Sequence, residues 1–185
     1  MKKLLCLNEN HPVVAALHQR LIDDTTIHLQ ELTSNFQDSS AYVKVLPAVN
    51  WILAALGPND VDLDFEALFA GIDEVQPPIS HFVMLSYAGI DDELNQQPVY
   101  PGVKDFKEFI KQQRYAVKIV DEAEIPYSVI RLPRVVTQVS ANYRLFNEGQ
   151  KMPNGHISAN IVARLVLKAF KDNQFVNQSI GVING

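Results

Sequence analysis

A chain of 185 residues with 47% hydrophobic content is sized for one domain with a substantial core. Its net charge of −5 and pI near 5.5 are spread along the chain without a basic run, which argues against nucleic acid as a partner; no apolar stretch approaches membrane-spanning length. The lone cysteine, Cys6, lies in an apolar run, so an internal disulfide is excluded and a reducing, cytoplasmic setting is expected.

Met1 to Leu7 is too short for a signal-peptide core and has no small-residue cleavage pattern behind it, so Lys3 to Leu7 reads as a first buried strand. Pro12 supplies a pre-set first-turn residue for a helix to about Ile22, with Val14, Leu17 and Leu21 facing inward. Thr26 to Leu32 alternates polar and apolar residues as a second strand does. Asp38, Ser39 and Ser40 look like a helix start, which leaves only Asn35 to Gln37 for a third strand; that strand is expected to be shortened or absent.

Val49 to Leu56 is nearly continuous in apolar residues, as befits a central strand buried on both faces, and Gly57-Pro58 ends it. Asp60, Asp62 and Asp64 load the amino end of the next helix, where negative charge is favourable, and Phe65, Leu68, Phe69 and Ile72 recur at core spacing. Ile79 to Leu85 is the following strand; a polar loop through Gly102, a long helix from about Lys104 to Ala123 and a strand at Tyr127 to Leu132 come after it. Tyr143 to Met152 reads as irregular or briefly extended, Ser158 as the cap of a helix through Phe170, and Gln178 to Ile183 as a final strand. This alternation defines a single α/β domain over residues 1–185, doubly wound around a mostly parallel sheet with helices on both faces, and residues 134–157 form a small irregular region.

The order of elements, with HFVMLSYAGI at residues 81–90 and IPYSVIRLP at 125–133, resembles the NmrA-like branch of the atypical short-chain dehydrogenase/reductase family. The resemblance implies a Rossmann-like NAD(P)-binding domain, and members are oxidoreductases or cofactor sensors that have lost chemistry. The family's phosphate loop is G-x-x-G-x-x-G after the first strand; aligned on LLCL, its glycines fall at Asn8, His11 and Val14. Those glycines permit a tight turn, close approach to pyrophosphate and close helix-to-strand packing. Asn8 tolerates a left-handed turn, but His11 puts a ring where phosphate approaches and Val14 fills the packing gap. No glycine precedes Gly57, so no shift of register restores the motif.

By position, the resemblance leaves Asn8, Asn10 and His11 in the turn, Glu31 at the end of the second strand, and Ala54 and Ala55 at the end of the central strand as cofactor-side residues. Glu9 adds a carboxylate to the turn; about 5 Å from a phosphate charge, at an effective dielectric of ~20, it costs roughly 3 kcal/mol unless it points away. A helix amino terminus still attracts anions, although Pro12 removes one N–H. Weak or absent dinucleotide binding is expected, with NAD preferred over NADP because Glu31 accepts from a ribose hydroxyl and repels a 2′-phosphate. The plainer reading of Glu31 is an exposed strand-end charge.

In the wider family a Tyr-x-x-x-Lys pair on the long helix works with a Ser at the end of the preceding strand. The Ser position survives as Ser86, whereas counting back from Tyr127 puts Phe109 and Gln113 at the Tyr and Lys positions, where neither can transfer the proton. Tyr115 and Lys118 are a second candidate pair, but their spacing is one residue short and Tyr115 faces away from the apolar stripe of Phe106, Phe109, Ile110, Val117 and Val120. Arg131 and Arg134 flank Pro133 at a carboxyl strand end, where open α/β sheets hold ligands. Each reads equally as a clamp for an anionic substrate group or as a structural ion pair. Tyr143 lies in the region that caps the substrate pocket in relatives, so it lines that cleft or simply packs.

His11, His18, His28, His81 and His156 show no metal-binding spacing, and Ser86 lacks a hydrolase nucleophile setting. Three functions follow: a Rossmann oxidoreductase relative impaired in cofactor binding and Tyr/Lys catalysis, a non-enzymatic ligand-binding or regulatory module using the same crevice, or an enzyme gripping a smaller substrate through an arginine. Homo-oligomer formation is compatible with each.

Overall fold

The computed structural model describes residues 1–185. Strands β1 (Lys2–Asn8), β2 (Ile27–Leu32), β3 (Trp51–Ala55), β4 (His81–Tyr87), β5 (Tyr127–Leu132) and β9 (Gln178–Asn184) run parallel, and β7 (Tyr143–Asn147) joins β9 antiparallel, in the order β2-β1-β3-β4-β5-β9-β7. A separate parallel pair, β6 (Arg134–Val136) and β8 (His156–Ser158), flanks this sheet. The order reverses between β1 and β3, which places the switch-point crevice of a doubly wound sheet at their carboxyl ends.

Strand alternation assigns the two faces. Leu4 and Cys6 of β1, Trp51, Leu53 and Ala55 of β3, and Val83 and Leu85 of β4 pack with α1 (Pro12–Leu21) and α5 (Ala159–Asp172). Leu5 and Leu7, Ile52 and Ala54, and Phe82 and Met84 pack on the other face, covered by α2 (Ser39–Val45), α3 (Val61–Val75) and α4 (Phe106–Glu122). Burial on both sides explains why these strands lack polar alternation. Trp51 stacks on Phe170 with centroids 5.1 Å apart, tying the central strand to α5.

No third strand lies outside β2: residues 35–37 turn directly into α2, whose cap Asp38 accepts from the Ser40 amide, so β2 is the sheet edge. Two expectations are sharpened by the structure. Of the irregular and briefly extended forms expected from Tyr143 on, residues 143–147 take the extended one: β7 pairs with β9 from Tyr143↔Asn184 to Asn147↔Ile180, at the sheet edge. Ser158 occupies the cap position of α5, yet its hydroxyl donates to the Gln138 carbonyl at 2.6 Å and makes no side-chain cap bond. No helix is long and apolar enough to cross a membrane.

Candidate functional site

The turn between β1 and α1 sits at the switch point, and side chains of the turn bond two of its amides, those of His11 and Val13. Asn8 Oδ1 accepts from the His11 amide at 2.9 Å and Asn8 Nδ2 donates to Glu31 Oε2 at 2.8 Å. His18 engages the other Glu31 oxygen, so both oxygens of the acidic residue at the end of β2 have protein partners. The left-handed residue in the turn is Asn10, at φ 58°; Asn8, which would also tolerate that conformation, does not take it.

His11 is the N-cap of α1, and its Nδ1 accepts from the Val13 amide at 3.3 Å. Burial lowers the imidazole to about 4, so at neutral pH the ring is uncharged and Nδ1 keeps its lone pair for the cap. The Val14 amide donates to the His11 carbonyl at 3.0 Å, and Pro12 has no N–H. The first-turn amides that a diphosphate meets in a glycine-rich turn are therefore bonded within the protein, and Val14 is buried against the sheet.

Glu9 turns inward across the crevice. Its backbone N–H donates to the Ala55 carbonyl at 3.2 Å, and its Oε2 accepts from the Gly57 amide at 2.6 Å. Ala54 and Ala55, expected beside a cofactor, are buried in β3.

Asp64, only 5% exposed in the first turn of α3, has its carboxyl raised to about 6, mainly by desolvation; a Gln37 hydrogen bond opposes this and the charges of Glu9, Asp60 and Asp62 add to it. A carboxyl raised on folding binds its proton more tightly in the native state, so its cost is absent below about pH 4 and complete above about pH 6. Asp64→Asn is therefore expected to stabilise the protein at pH 8 by on the order of 2 kcal/mol, with no gain at pH 4, as read by denaturant melts at the two pH values.

At the end of β4, Ser86 is 1% exposed and its Oγ donates to Gln113 Oε1 at 3.0 Å, while Gln113 Nε2 has no partner. Phe109 packs among Tyr87, Tyr100 and Phe106. The hydrogen bond joins Gln113 to Ser86, and an amide neither carries a lysine's charge nor transfers a proton. Tyr115 and Lys118 lie on the solvent side of α4, as the helix periodicity indicated: Tyr115 is 44% exposed, with Glu66 raising its phenol, and Lys118 pairs with Glu122 at 3.6 Å.

Of the two readings of Arg131, the structure shows the ion pair. Its guanidinium is fully buried, with Nη1 2.7 Å from Glu93 Oε1 and Nε 3.2 Å from Asp91 Oδ2, so it anchors the loop after β4. Arg134, by contrast, is exposed on β6 and lines a cleft of about 140 Å³ with Leu94, Pro98, Tyr100 and Asn154. Tyr143 is a packing residue, half-buried with the Arg164 guanidinium 5.1 Å above its ring.

Sequence reasoning missed the inward turn of Glu9, the link from His18 to Glu31 and the pairing of Gln113 with Ser86. In sequence Gly57 read only as the end of a strand; in the structure its φ is not positive, and a Cβ there would lie 2.3 Å from Glu9 Oε2.

A parallel sheet reversing order at β1 and β3, with the helix after β1 aimed at that point, defines the doubly wound nucleotide-binding class. A family model for an NAD(P)H-binding domain matches residues 3–173. The chain belongs to this NAD(P)H-binding family, in line with its resemblance to atypical short-chain dehydrogenases/reductases. No curated protein sequence matches the chain.

Among solved structures, a Rossmann-fold NAD(P)-binding family protein from Shigella flexneri superposes with a TM-score of 0.79 at 15% identity, covering 100% of this chain and 96% of that one. A short-chain dehydrogenase/reductase from Veillonella parvula in complex with NADP gives 0.76 at 15% identity, over 99% and 94% of the two chains. ChuY from Escherichia coli O157:H7, described as an anaerobillin reductase, gives 0.79 at 13% identity over 99% and 97%. At these identities the likeness establishes the fold.

Proposed function

We propose that this protein is a member of the NAD(P)H-binding family whose dinucleotide site is impaired and whose Tyr/Lys proton-transfer pair is lost. The observation that carries the reading is the internal bonding of the first turn: His11 caps Val13, Asn8 binds His11 and Glu31, and Glu9 spans to Gly57. A diphosphate entering there has to break those bonds and meet the Glu9 carboxylate. Phe109 and Gln113 remove the phenol and ammonium of the usual pair, so Ser86 is left with an amide partner. If a dinucleotide is held, Glu31 favours NAD over NADP, since a 2′-phosphate would face a carboxylate.

Titration calorimetry with NADH and NADPH tests this. The expected result is a Kd weaker than about 1 mM for both, corresponding to less than about 4 kcal/mol of binding free energy. Micromolar binding of either would overturn the reading.

A second reading, an enzyme that grips a smaller anionic substrate through an arginine, is favoured by one observation: Arg134 stays exposed beside a cleft while Arg131 is consumed internally. A small anionic metabolite that raises the melting temperature in the wild type but not in Arg134→Ala supports it. Equal shifts in both proteins contradict it.

A further inference from the structure

The contact between Glu9 and Gly57 joins the two strands that flank the switch point, from the end of β1 to the residues just past β3. Its geometry is close. The Gly57 amide donates to Glu9 Oε2 at 2.6 Å, and a Cβ at Gly57 would sit 2.3 Å from that oxygen and 2.9 Å from Cδ, so the carboxylate lies flush on bare backbone. Gly57 has an ordinary negative φ, so the glycine is not needed for the chain's path. Glu9 is otherwise exposed, and nothing packs over it to hold it down.

We propose that Glu9 is an openable latch: its carboxylate spans the switch-point crevice on the Gly57 amide, shuts out anionic nucleotide ligands, and admits them when the side chain swings into solvent. This rests on the reading of the crevice as a weakened dinucleotide site and adds the element that closes it. The latch acts in two ways. It occupies a backbone donor and the space above it, and it places a negative charge where a diphosphate passes. Because the side chain stays in contact with water, its repulsion is partly screened, and release is expected to gain about tenfold in affinity.

Three variants separate the contributions. Glu9→Ala removes charge and occupancy. Glu9→Gln keeps an oxygen able to accept from Gly57 but removes the charge. Gly57→Ala leaves Glu9 intact and pushes its carboxylate off with the new methyl, at little cost because the clash falls on the far end of a flexible side chain. NADH and NADPH are titrated into each protein by calorimetry, with melting temperatures confirming the fold. The latch predicts that Glu9→Ala and Gly57→Ala bind at least one dinucleotide about tenfold or more tightly than the wild type, with Glu9→Gln between them. If both variants are folded and bind as weakly as the wild type, to within about threefold, the latch is refuted while the impaired-site reading stands. Micromolar binding by the wild type refutes that reading, and the latch with it.

Discussion

Arg131→Met is expected to destabilise the protein by about 3–5 kcal/mol, because it leaves the Glu93 carboxylate buried without its partner. Arg131 and Glu93 side chains are both 0% exposed, and Asp91, 25% exposed, completes the cluster. The cluster also fixes the loop after β4: Glu93 accepts from the Asp91 amide at 3.1 Å, and its carbonyl accepts from the Met152 amide at 2.9 Å. The guanidinium reaches toward the Phe146 carbonyl at 3.4 Å as well. The loss is therefore expected to loosen both the loop and the β7 side of the sheet. The double variant Arg131→Met with Glu93→Leu should recover much of the stability, since a buried pair roughly breaks even against apolar replacements. Urea melts of the two variants check this; a single variant within about 1 kcal/mol of wild type would show that the cluster is solvated in solution.

Phe82→Ala is expected to cost about 3–5 kcal/mol, or on the order of 10 °C in melting temperature for a chain of this size. Phe82 is fully buried on β4, with its ring centroid 5.9 Å from Phe65 and 5.7 Å from Phe69, so it is the contact through which α3 grips the sheet. Truncation opens a cavity among large rings that cannot all move inward. Phe82→Leu, which keeps most of the volume, should lose far less. Thermal melts of the two variants give the comparison, and equal losses would mean that the site collapses around either side chain.

The fold was legible in the sequence because its strands are buried on both faces, and runs such as Trp51 to Leu56 have no other sensible place. The missing third strand was legible too, from the short interval before Asp38. β7 was only partly legible, as irregular or briefly extended, because an edge strand with exposed Arg144 and Asn147 carries little burial signature. The site was less legible, since the replaced glycines at Asn8, His11 and Val14 are a matter of residue type, but what the replacements do is a matter of direction. Whether Glu9 points outward or onto Gly57 is a rotamer, and sequence does not specify it.

The two arginines make the same point. Both flank Pro133, yet Arg131 sits in the ladder opposite Ser86, inside a strand buried on both faces, while Arg134 lies past the proline. An arginine within YSVIRL has to be paired to be buried, so its structural role could have been inferred from strand position. Its partners could not, because Asp91 and Glu93 come from a polar loop whose course depends on the rest of the fold.

The most direct test of the impaired site is an electron-density map of crystals soaked in about 10 mM NADPH or NADH, about tenfold above the 1 mM bound on the expected Kd. The account predicts that, even where a ligand enters at such saturation, no diphosphate lies on the amides of Val13 and Val14, and that His11 still caps α1. A dinucleotide seated with its diphosphate hydrogen-bonded to those amides, in the wild-type protein, would contradict it.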